Sequence, residues 1–455
     1  MHERIHICGF NTFKKVEKQV HPESRIHSVA FCARSSITPA PAMGEVPKVK
    51  DLPQVIEPHL PEGCTLDSYV SRYLTKPGDN YGSIMLAVQA KIRSKDGAIW
   101  DLPLIAKLPP LTNELYWQIF QPERTCITEN AVYQYLSTEL DKLQLQEGIL
   151  PAQLFDGFPR YYGSRISLDS RASKVDRDAI LVQENVTVHG FRPGNRHRPY
   201  SLAETVLVLH YLAQYHALPI ALRLKKPLVY EEYVRPFFKK FDMNSNINPA
   251  EKELMNDQIL RDIQAVTSDE RDVNRVKELL DIFDAFQAGK DVDDGPFTTL
   301  VHGDLWINNM MLKYDENGTP VKVKIVDFQI AQYGSLVHDI IFLLFSSVDV
   351  NVLEENYYNF LSIYYNAFIQ ALRGVNVDTN NYSKEIFLNE VQKVAHIQLP
   401  HAIFMMKVIL ADNSTIPEDF KDVDFSVLSK NTGVKTIVTK FEAILRLGKK
   451  FNIFY

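Results

Sequence analysis

The sequence predicts an α+β protein of two lobes, a small antiparallel-β lobe followed by a large, mainly helical one. Three observations carry this. Ile84, Leu86, Val88, Ala90 and Ile92 alternate strictly with their neighbours, the period of a half-buried strand. After about residue 190, apolar residues recur at helical spacing over long stretches. One short strand-rich island, Thr299 to Gln329, interrupts those helices. The expected division is an extension over 1–50, the β-rich lobe over 51–186 and the helical lobe over 187–455.

Each element has its own signal. Asp96-Gly97 follows the alternating strand and marks a hairpin turn. A second apolar run then ends at Leu104-Ile105-Ala106-Lys107. A helix is expected near Thr125–Leu140, and strands at Tyr161–Ile166 and Ala179–Gln183. Ser201-Leu202-Ala203-Glu204 is a capping box that opens a helix running toward His216. Further helical patterns span Ala250–Val266, Arg271–Phe286, Glu354–Leu372 and Lys384–Met406. The run Ile340–Phe345 reads as buried helix.

Composition bounds what such a chain does. With 455 residues, 45% hydrophobic and 23% charged, the chain has enough apolar side chain for a large core, which excludes a fully disordered protein. The 19 glycines and 24 prolines show no period, so collagen-like and low-complexity classes go too. A net charge of −6 argues against a dedicated nucleic-acid binder, which usually carries a basic surplus. Cys8, Cys32, Cys64 and Cys126 are too widely spaced for a CxxC metal pattern or a dense disulfide framework. A reduced, cytoplasmic protein is expected, and the absence of an 18-residue apolar run predicts no membrane span. Residues 1–34 lack the apolar core of a secretory signal, and Glu3, Glu17 and Glu23 argue against a mitochondrial transit peptide. With the Pro/Ala/Ser tract over 35–42, they read as a disordered extension and linker.

The chemistry concentrates in the island. Val301-His302-Gly303-Asp304-Leu305-Trp306-Ile307-Asn308-Asn309 is followed by Ile325-Val326-Asp327-Phe328-Gln329. From average residue usage, His-Gly-Asp with Asn five positions after the Asp occurs by chance on the order of once in a thousand chains of this length. The set is therefore read as functional, although either acid alone would pass for a turn or cap residue. Asn317-Gly318 lies midway between the strand-like runs 310–314 and 321–326, a strong hairpin signal. A hairpin centred there puts Asn309 opposite Val326 and beside Asp327. An amide oxygen and a carboxylate then converge at one end of the ribbon, a pair that suits Mg²⁺, whose other ligands are commonly waters and phosphates. Asp304, upstream in the same loop, is free to accept a hydroxyl proton. His302 is assigned to holding the loop by hydrogen bonds.

At these residues the chain resembles the protein-kinase-like superfamily, in its aminoglycoside phosphotransferase and choline kinase branch. The string HGDLWINNMMLKYDENG…VKIVDFQ is most similar to the ecdysteroid kinase-like family, and the resemblance spans roughly residues 60–445. It implies an ATP- and Mg²⁺-dependent kinase that phosphorylates a hydroxyl of a small molecule, an ecdysteroid or similar lipophilic alcohol. Asp304 would be the catalytic base, with Asn309 and Asp327 as metal ligands. The loop holding Gly78, Asn80, Gly82 and Ser83 matches the family's phosphate-cradling turn, although two glycines alone read equally as an ordinary hairpin. Lys107 ends its strand where the superfamily's phosphate-binding lysine stands. Its implied partner is Glu129, with Glu123 and Glu139 as rivals. The connector Leu181–Val186 matches the hinge, where the Glu184 carbonyl and the Val186 amide would read adenine. Asp339 matches an Asp that braces the catalytic loop. Leu336 departs from the usual Pro, which puts local loop geometry in doubt. Gln329, standing where protein kinases have Gly, agrees with the small-molecule branch, and no APE-like segment follows Asp327.

The acceptor should face Asp304. Expected walls are Trp306, the segment Tyr230–Phe238 and the apolar helix Leu399–Met406, against the plainer reading of that helix as core. The expected partner is thus a small-molecule alcohol. Choline, a sugar or a foreign phenol or glycoside are alternative acceptors, and a nucleotide-binding protein without turnover is the alternative outside enzymes.

Overall fold

The alternation at 84–92 builds the first sheet. In the computed structural model, which describes residues 48–74, 83–110, 114–241, 248–289, 295–410 and 435–455, strand β2 (Ile84–Arg93) buries Leu86, Val88, Ala90 and Ile92 and exposes Gln89, Lys91 and Arg93. The other strands are β1 (Thr65–Tyr73), β3 (Ile99–Leu108), β4 (Tyr161–Arg165) and β5 (Ile180–Glu184). All pairings are antiparallel in the order β1-β2-β3-β5-β4. The Asp96-Gly97 turn joins β2 to β3, with Gly97 at φ 86° and the Ser94 amide donating to the Ala98 carbonyl at 2.9 Å. A left-handed residue at that position is what glycine supplies without a steric cost. Helix α1 (Leu52–Ile56) and the sheet share a small apolar core.

The helix expected near Thr125–Leu140 is present, carries a π turn within it and is preceded by a further short helix. Helix α2 (Glu114–Phe120) precedes α3 (Pro122–Ala131), a π turn follows over Val132–Leu136, and α4 (Ser137–Gln146) completes the run. Gln121, at φ 45°, ends the first helix, and Pro122 opens the second. Proline's missing N–H costs nothing in a first turn.

The helical lobe begins with α5 (Leu202–Lys225). Its capping box is formed, with the Ser201 amide donating to Glu204 at 2.8 Å and the Glu204 amide to the Ser201 hydroxyl at 3.4 Å. The helix runs past His216 and through Pro219 to Lys225. Ala217, Leu218, Ile220, Ala221 and Leu222 are all buried, and that packing offsets the hydrogen bond the proline removes. By length and composition α5 alone among the described helices would suit a membrane span, yet most of it is interior here. There follow α6 (Pro227–Tyr233), α7 (Pro249–Gln264), α8 (Glu270–Ala288), α9 (Val337–Ser347), α10 (Val350–Gly374), α11 (Lys384–Ile409) and α12 (Lys435–Lys450). Every residue of α9 is buried, as the apolar run predicts.

The island forms two small antiparallel sheets. Strand β7 (Thr298–Val301) pairs with β10 (Gln332–Ser335). The hairpin β8 (Met310–Tyr314) and β9 (Pro320–Ile325) is joined by β6 (Arg192–Pro193). A chain leaving β5 therefore passes through residues 185–191 and is secured directly to the hairpin.

Candidate active site

Loop 302–309 is held from below by one buried carboxylate. Asp339, at the start of α9, accepts from the His302 amide at 2.6 Å, the Gly303 amide at 2.9 Å and His216 Nε2 at 3.0 Å. Burial pushes its carboxyl upward, but the His216 bond and the His302 amide outweigh this and hold it below the usual carboxylate range. His216 is fixed in turn by the Tyr364 hydroxyl at 2.7 Å. Gly303 takes φ 82°, and a Cβ there would come within 2.9 Å of the Ile330 carbonyl, so the turn needs glycine. His302 Nε2 lies 3.0 Å from the Val326 carbonyl while Nδ1 faces the Asp304 amide at 3.3 Å. The hydrogens this requires put the proton on Nε2. His302 thus ties the loop to the hairpin. Leu336 sits just before α9, and its amide donates to the Phe297 carbonyl at 3.1 Å, a bond a proline could not make.

The hairpin register pairs Met310 with Ile325, and the Val326 amide donates to the Asn309 carbonyl at 3.0 Å. Asn309 spends its side-chain N–H₂ on Asp304, at 2.8 Å to the backbone carbonyl and 3.2 Å to Oδ2. That leaves Oδ1 as the free end of the amide. The other carboxylate oxygen of Asp304, Oδ1, is buried with no hydrogen-bond partner. Burial raises the Asp304 carboxyl well above its ordinary value, the negative charge of Asp327 raises it further, and the side chains of Asn309 and Trp306 oppose both.

Asp327 follows β9 at φ 67°, a left-handed conformation that Asp tolerates better than most side chains. The next residue anchors it. The Phe328 ring is fully buried, with centroids 4.8 Å from His302, 5.5 Å from Phe158, 5.6 Å from Tyr215 and 5.7 Å from Tyr133.

Lys107, at the end of β3, reaches across to this loop. Its Nζ lies 2.7 Å from Glu129 Oε2 on α3 and 2.6 Å from Asp327 Oδ1. Burial works against its charge, but Asp327 and Glu129 outweigh that and keep its pKa above the ordinary lysine value. Burial lifts Glu129 to about 6 against the pull of Lys107. Of the rivals for Lys107, Glu139 pairs with Lys142 at 2.7 Å and Glu123 is exposed in the first turn of α3. Glu129 and Asp327 therefore share one lysine, and the Asp304 carboxyl feels the charge of Asp327.

The remaining expectations are distributed as follows. Gly78, Asn80 and Gly82 lie outside the described residues, as do residues 1–47. Ser83 lies beside Lys107 and Glu129 on a narrow cavity of about 20 Å³. Glu184 ends β5 opposite Leu104, its carboxylate accepting from the Arg160 amide at 3.1 Å, and Val186 is buried. Among the acceptor walls, Trp306 is half-buried. Tyr230, Val234 and Phe238 are core, while Glu231–Tyr233 and Pro236 are exposed and Phe237 borders a cavity; Leu399, Ala402, Ile403 and Met406 are core, so most of the Leu399–Met406 segment is interior. Helical spacing reports an apolar face but not what covers it.

The larger cavity, about 550 Å³, opens on the other face of α3 beside Trp117, Arg124, Thr128 and Phe237. It touches none of Lys107, Glu129, Asp304, Asn309 and Asp327. Arg124 itself was missed in the sequence. Its guanidinium donates to the carbonyls of Gln329 at 2.7 Å, Ala331 at 2.8 Å and Lys239.

The ecdysteroid kinase-like family model matches residues 77–377, the greater part of the chain. The chain belongs to this family. No curated protein matches it in sequence. Solved structures similar to it include an ethanolamine kinase of Plasmodium vivax, at 10% identity over 82% of each chain with a TM-score of 0.37. A choline/ethanolamine kinase family protein from Mesorhizobium loti is 13% identical over 79% of this chain and 90% of its own, with a TM-score of 0.32. A GDP complex of an aminoglycoside 2′-phosphotransferase-IIIa point mutant is 9% identical over 85% and 93%, with a TM-score of 0.38. This family member pairs a small antiparallel sheet with a large helical lobe, and Lys107 of the sheet meets Asp327 of the helical lobe's hairpin end.

Proposed function

We propose that this member of the family is an ATP- and Mg²⁺-dependent phosphotransferase acting on a hydroxyl of a small lipophilic alcohol of the ecdysteroid kind. The observation that carries this is the buried, unpartnered Oδ1 of Asp304 beside a carboxylate excess. A buried carboxylate oxygen without a donor costs the fold stability, and a substrate O–H is the donor it lacks.

The residues fit a divalent cation. Among the described residues no cluster of three or more His, Cys, Asp or Glu side chains could form an all-protein metal cage. Mg²⁺ does not need one, since it takes one or two protein oxygens and completes its shell from phosphates and water. Asn309 Oδ1 and the Asp327 carboxylate would supply those oxygens. Glu129 and Asp327 share one lysine while Asp304 lies within reach of the Asp327 charge, which leaves negative charge that such an ion offsets. Bound there, the ion would neutralise charge on the transferring phosphoryl group.

In this reading Lys107 holds phosphate oxygens and Glu129 keeps Lys107 extended toward them. Asp304 orients the acceptor hydroxyl and takes its proton as the oxygen–phosphorus bond forms and the bond to ADP breaks. The connector at Glu184–Val186 carries the adenine through backbone groups.

The test is transfer of labelled γ-phosphate from Mg²⁺–ATP to ecdysteroids, choline, sugars and plant phenols, with Asp304→Asn as control. A steroid phosphate made by the wild type alone supports the proposal. Transfer to a different acceptor keeps the chemistry and discards the steroid. Nucleotide binding without transfer to any acceptor favours a non-catalytic binding protein.

A further inference from the structure

Helix α3 carries Glu129 toward the sheet, yet its other face is fastened to the helical lobe. Arg124 and Thr128 lie one turn apart on that face. Arg124 spans three carbonyls, those of Lys239, Gln329 and Ala331, and the Thr128 hydroxyl donates to the Phe237 carbonyl at 2.8 Å. One turn beyond the π insertion's start, Tyr135 stacks on Phe237 at 5.1 Å. Two of the Arg124 acceptors flank Ile330 in the segment just after Asp327. One side chain therefore fixes both the helix that carries Glu129 and the segment that follows the Asp327 carboxylate.

Packing, through the Tyr135–Phe237 stack, does only part of this work. The cavity of about 550 Å³ lies against Arg124, Thr128, Phe237 and Lys239, so this side of α3 lacks a filled interface and hydrogen bonds hold it. The guanidinium spans three separated carbonyls because its donors form a rigid planar fork on two nitrogens, whereas lysine gathers its donors on one compact point charge. Burial lowers the Arg124 pKa only to about 10, so the group stays charged at neutral pH.

We propose that Arg124 is a positioning residue of the phosphotransfer site: its bonds to the Lys239, Gln329 and Ala331 carbonyls lock α3 to the helical lobe in the register that lets Glu129 meet Lys107. This rests on the functional reading above in so far as the consequence is nucleotide affinity. Arg124 touches no reacting group. Its effect passes through Glu129, so loss of Arg124 and loss of Glu129 should not add.

The experiment uses the full chain and four forms: wild type, Arg124→Lys, Glu129→Gln and the double variant. Affinity for a non-hydrolysable Mg²⁺–ATP analogue is measured by calorimetry. A nucleotide-independent readout runs in parallel, the alkylation rate of Cys126, a free cysteine of α3 that lines the narrow cavity with Glu129. Arg124→Lys should weaken the analogue about tenfold, and the double variant should fall within about twofold of the weaker single one, the mark of residues acting as a unit. Cys126 should be alkylated about tenfold faster in Arg124→Lys, with Cys64 as internal reference, because a freed helix exposes it. Multiplying effects, or an Arg124→Lys affinity within about twofold of wild type, overturn the proposal. If the wild type binds no nucleotide, the functional reading fails, and the thiol rate alone then decides: an unchanged Cys126 rate in Arg124→Lys overturns the positioning role, and a faster one upholds it.

Discussion

Among the described residues, two largely buried lysines, Lys407 and Lys107, meet carboxylates, and they are balanced differently. In the helical lobe Lys407 of α11 meets Asp262 of α7 at 2.6 Å, with each side chain 7% exposed. One cation faces one anion and the pair is closed. At the lobe junction Lys107 meets Glu129 and Asp327 at 2.7 and 2.6 Å, with the Asp304 carboxyl close enough to feel Asp327. There one cation faces an excess of anions, and one carboxylate oxygen has no donor. The same residue chemistry makes a finished structural pair in one place and an incomplete site in the other. A buried ion pair is therefore no sign of function until its charges are counted.

The comparison is broken most severely at Asp304. Asp304→Asn keeps the shape and removes the charge. Phosphate transfer should fall by about a thousandfold or more, in line with losing a general base. Nucleotide affinity should stay within about twofold, and the thermal midpoint should hold or rise, because a buried unpaired charge has been deleted. A variant that transfers phosphate at the wild-type rate, or that melts well below wild type, would show Asp304 to be an ordinary structural acid.

The two lysines can be set directly against each other. Lys407→Met strands Asp262 and should cost about 3–5 kcal/mol of stability while leaving nucleotide affinity unchanged. Adding Asp262→Leu should recover most of that loss. Lys107→Met should also destabilise, by a similar or smaller amount since Asp327 is partly exposed, but it should abolish measurable binding of Mg²⁺–ATP. Chemical denaturation and calorimetry on the same samples separate the outcomes. Equal effects of both variants on nucleotide affinity would erase the distinction.

A smaller effect sharpens the point that the helical interior is built for stability. His401 stacks on Phe342 at 4.3 Å and on Phe283 at 5.6 Å, and His338 meets Phe286 edge-on at 4.8 Å. Burial lowers both histidines from 6.5 to about 4. Between those values the unfolded chain binds protons that the native one refuses. Stability from neutral side chains is thus complete above pH 6.5 and is lost as pH falls toward about 4, by up to about 3 kcal/mol per histidine. His401→Phe should lessen the decline in thermal midpoint across that window. An unchanged slope would mean that His401 is already protonated in the native protein.

Much of this arrangement was legible in the residues. Strict alternation at 84–92 names a strand and its buried face together, because the side-chain period of a strand is two. Asn317-Gly318 fixes the hairpin centre, and from it the juxtaposition of Asn309 and Val326 is simple counting. Chemistry carried by a side chain at fixed spacing from others is visible in this way. Arg124 was not visible, because its acceptors are backbone carbonyls 115, 205 and 207 positions away, and a carbonyl has no residue type. The π turn at Val132–Leu136 was not visible because the pattern on both sides of it is helical. The helix around Leu399–Met406 was open to two readings because a buried face and a lining face share one periodicity, and the structure buries most of it.

The unpartnered oxygen of Asp304 also bears on how this chain would change over generations. Asp339 is held by three donors, so replacing it would damage the fold and be removed whatever the protein does. The Asp304 carboxylate accepts a single bond, from Asn309, and leaves its other oxygen without a donor. Exchanging it for Asn, or for a neutral side chain of similar size, would be tolerated or even welcome on grounds of folding alone. In a lineage released from turnover, drift should therefore erase Asp304 early and Asp339 late. A survey of relatives could use the first position to sort working transferases from retired ones, while the second would mark only that the chain still folds.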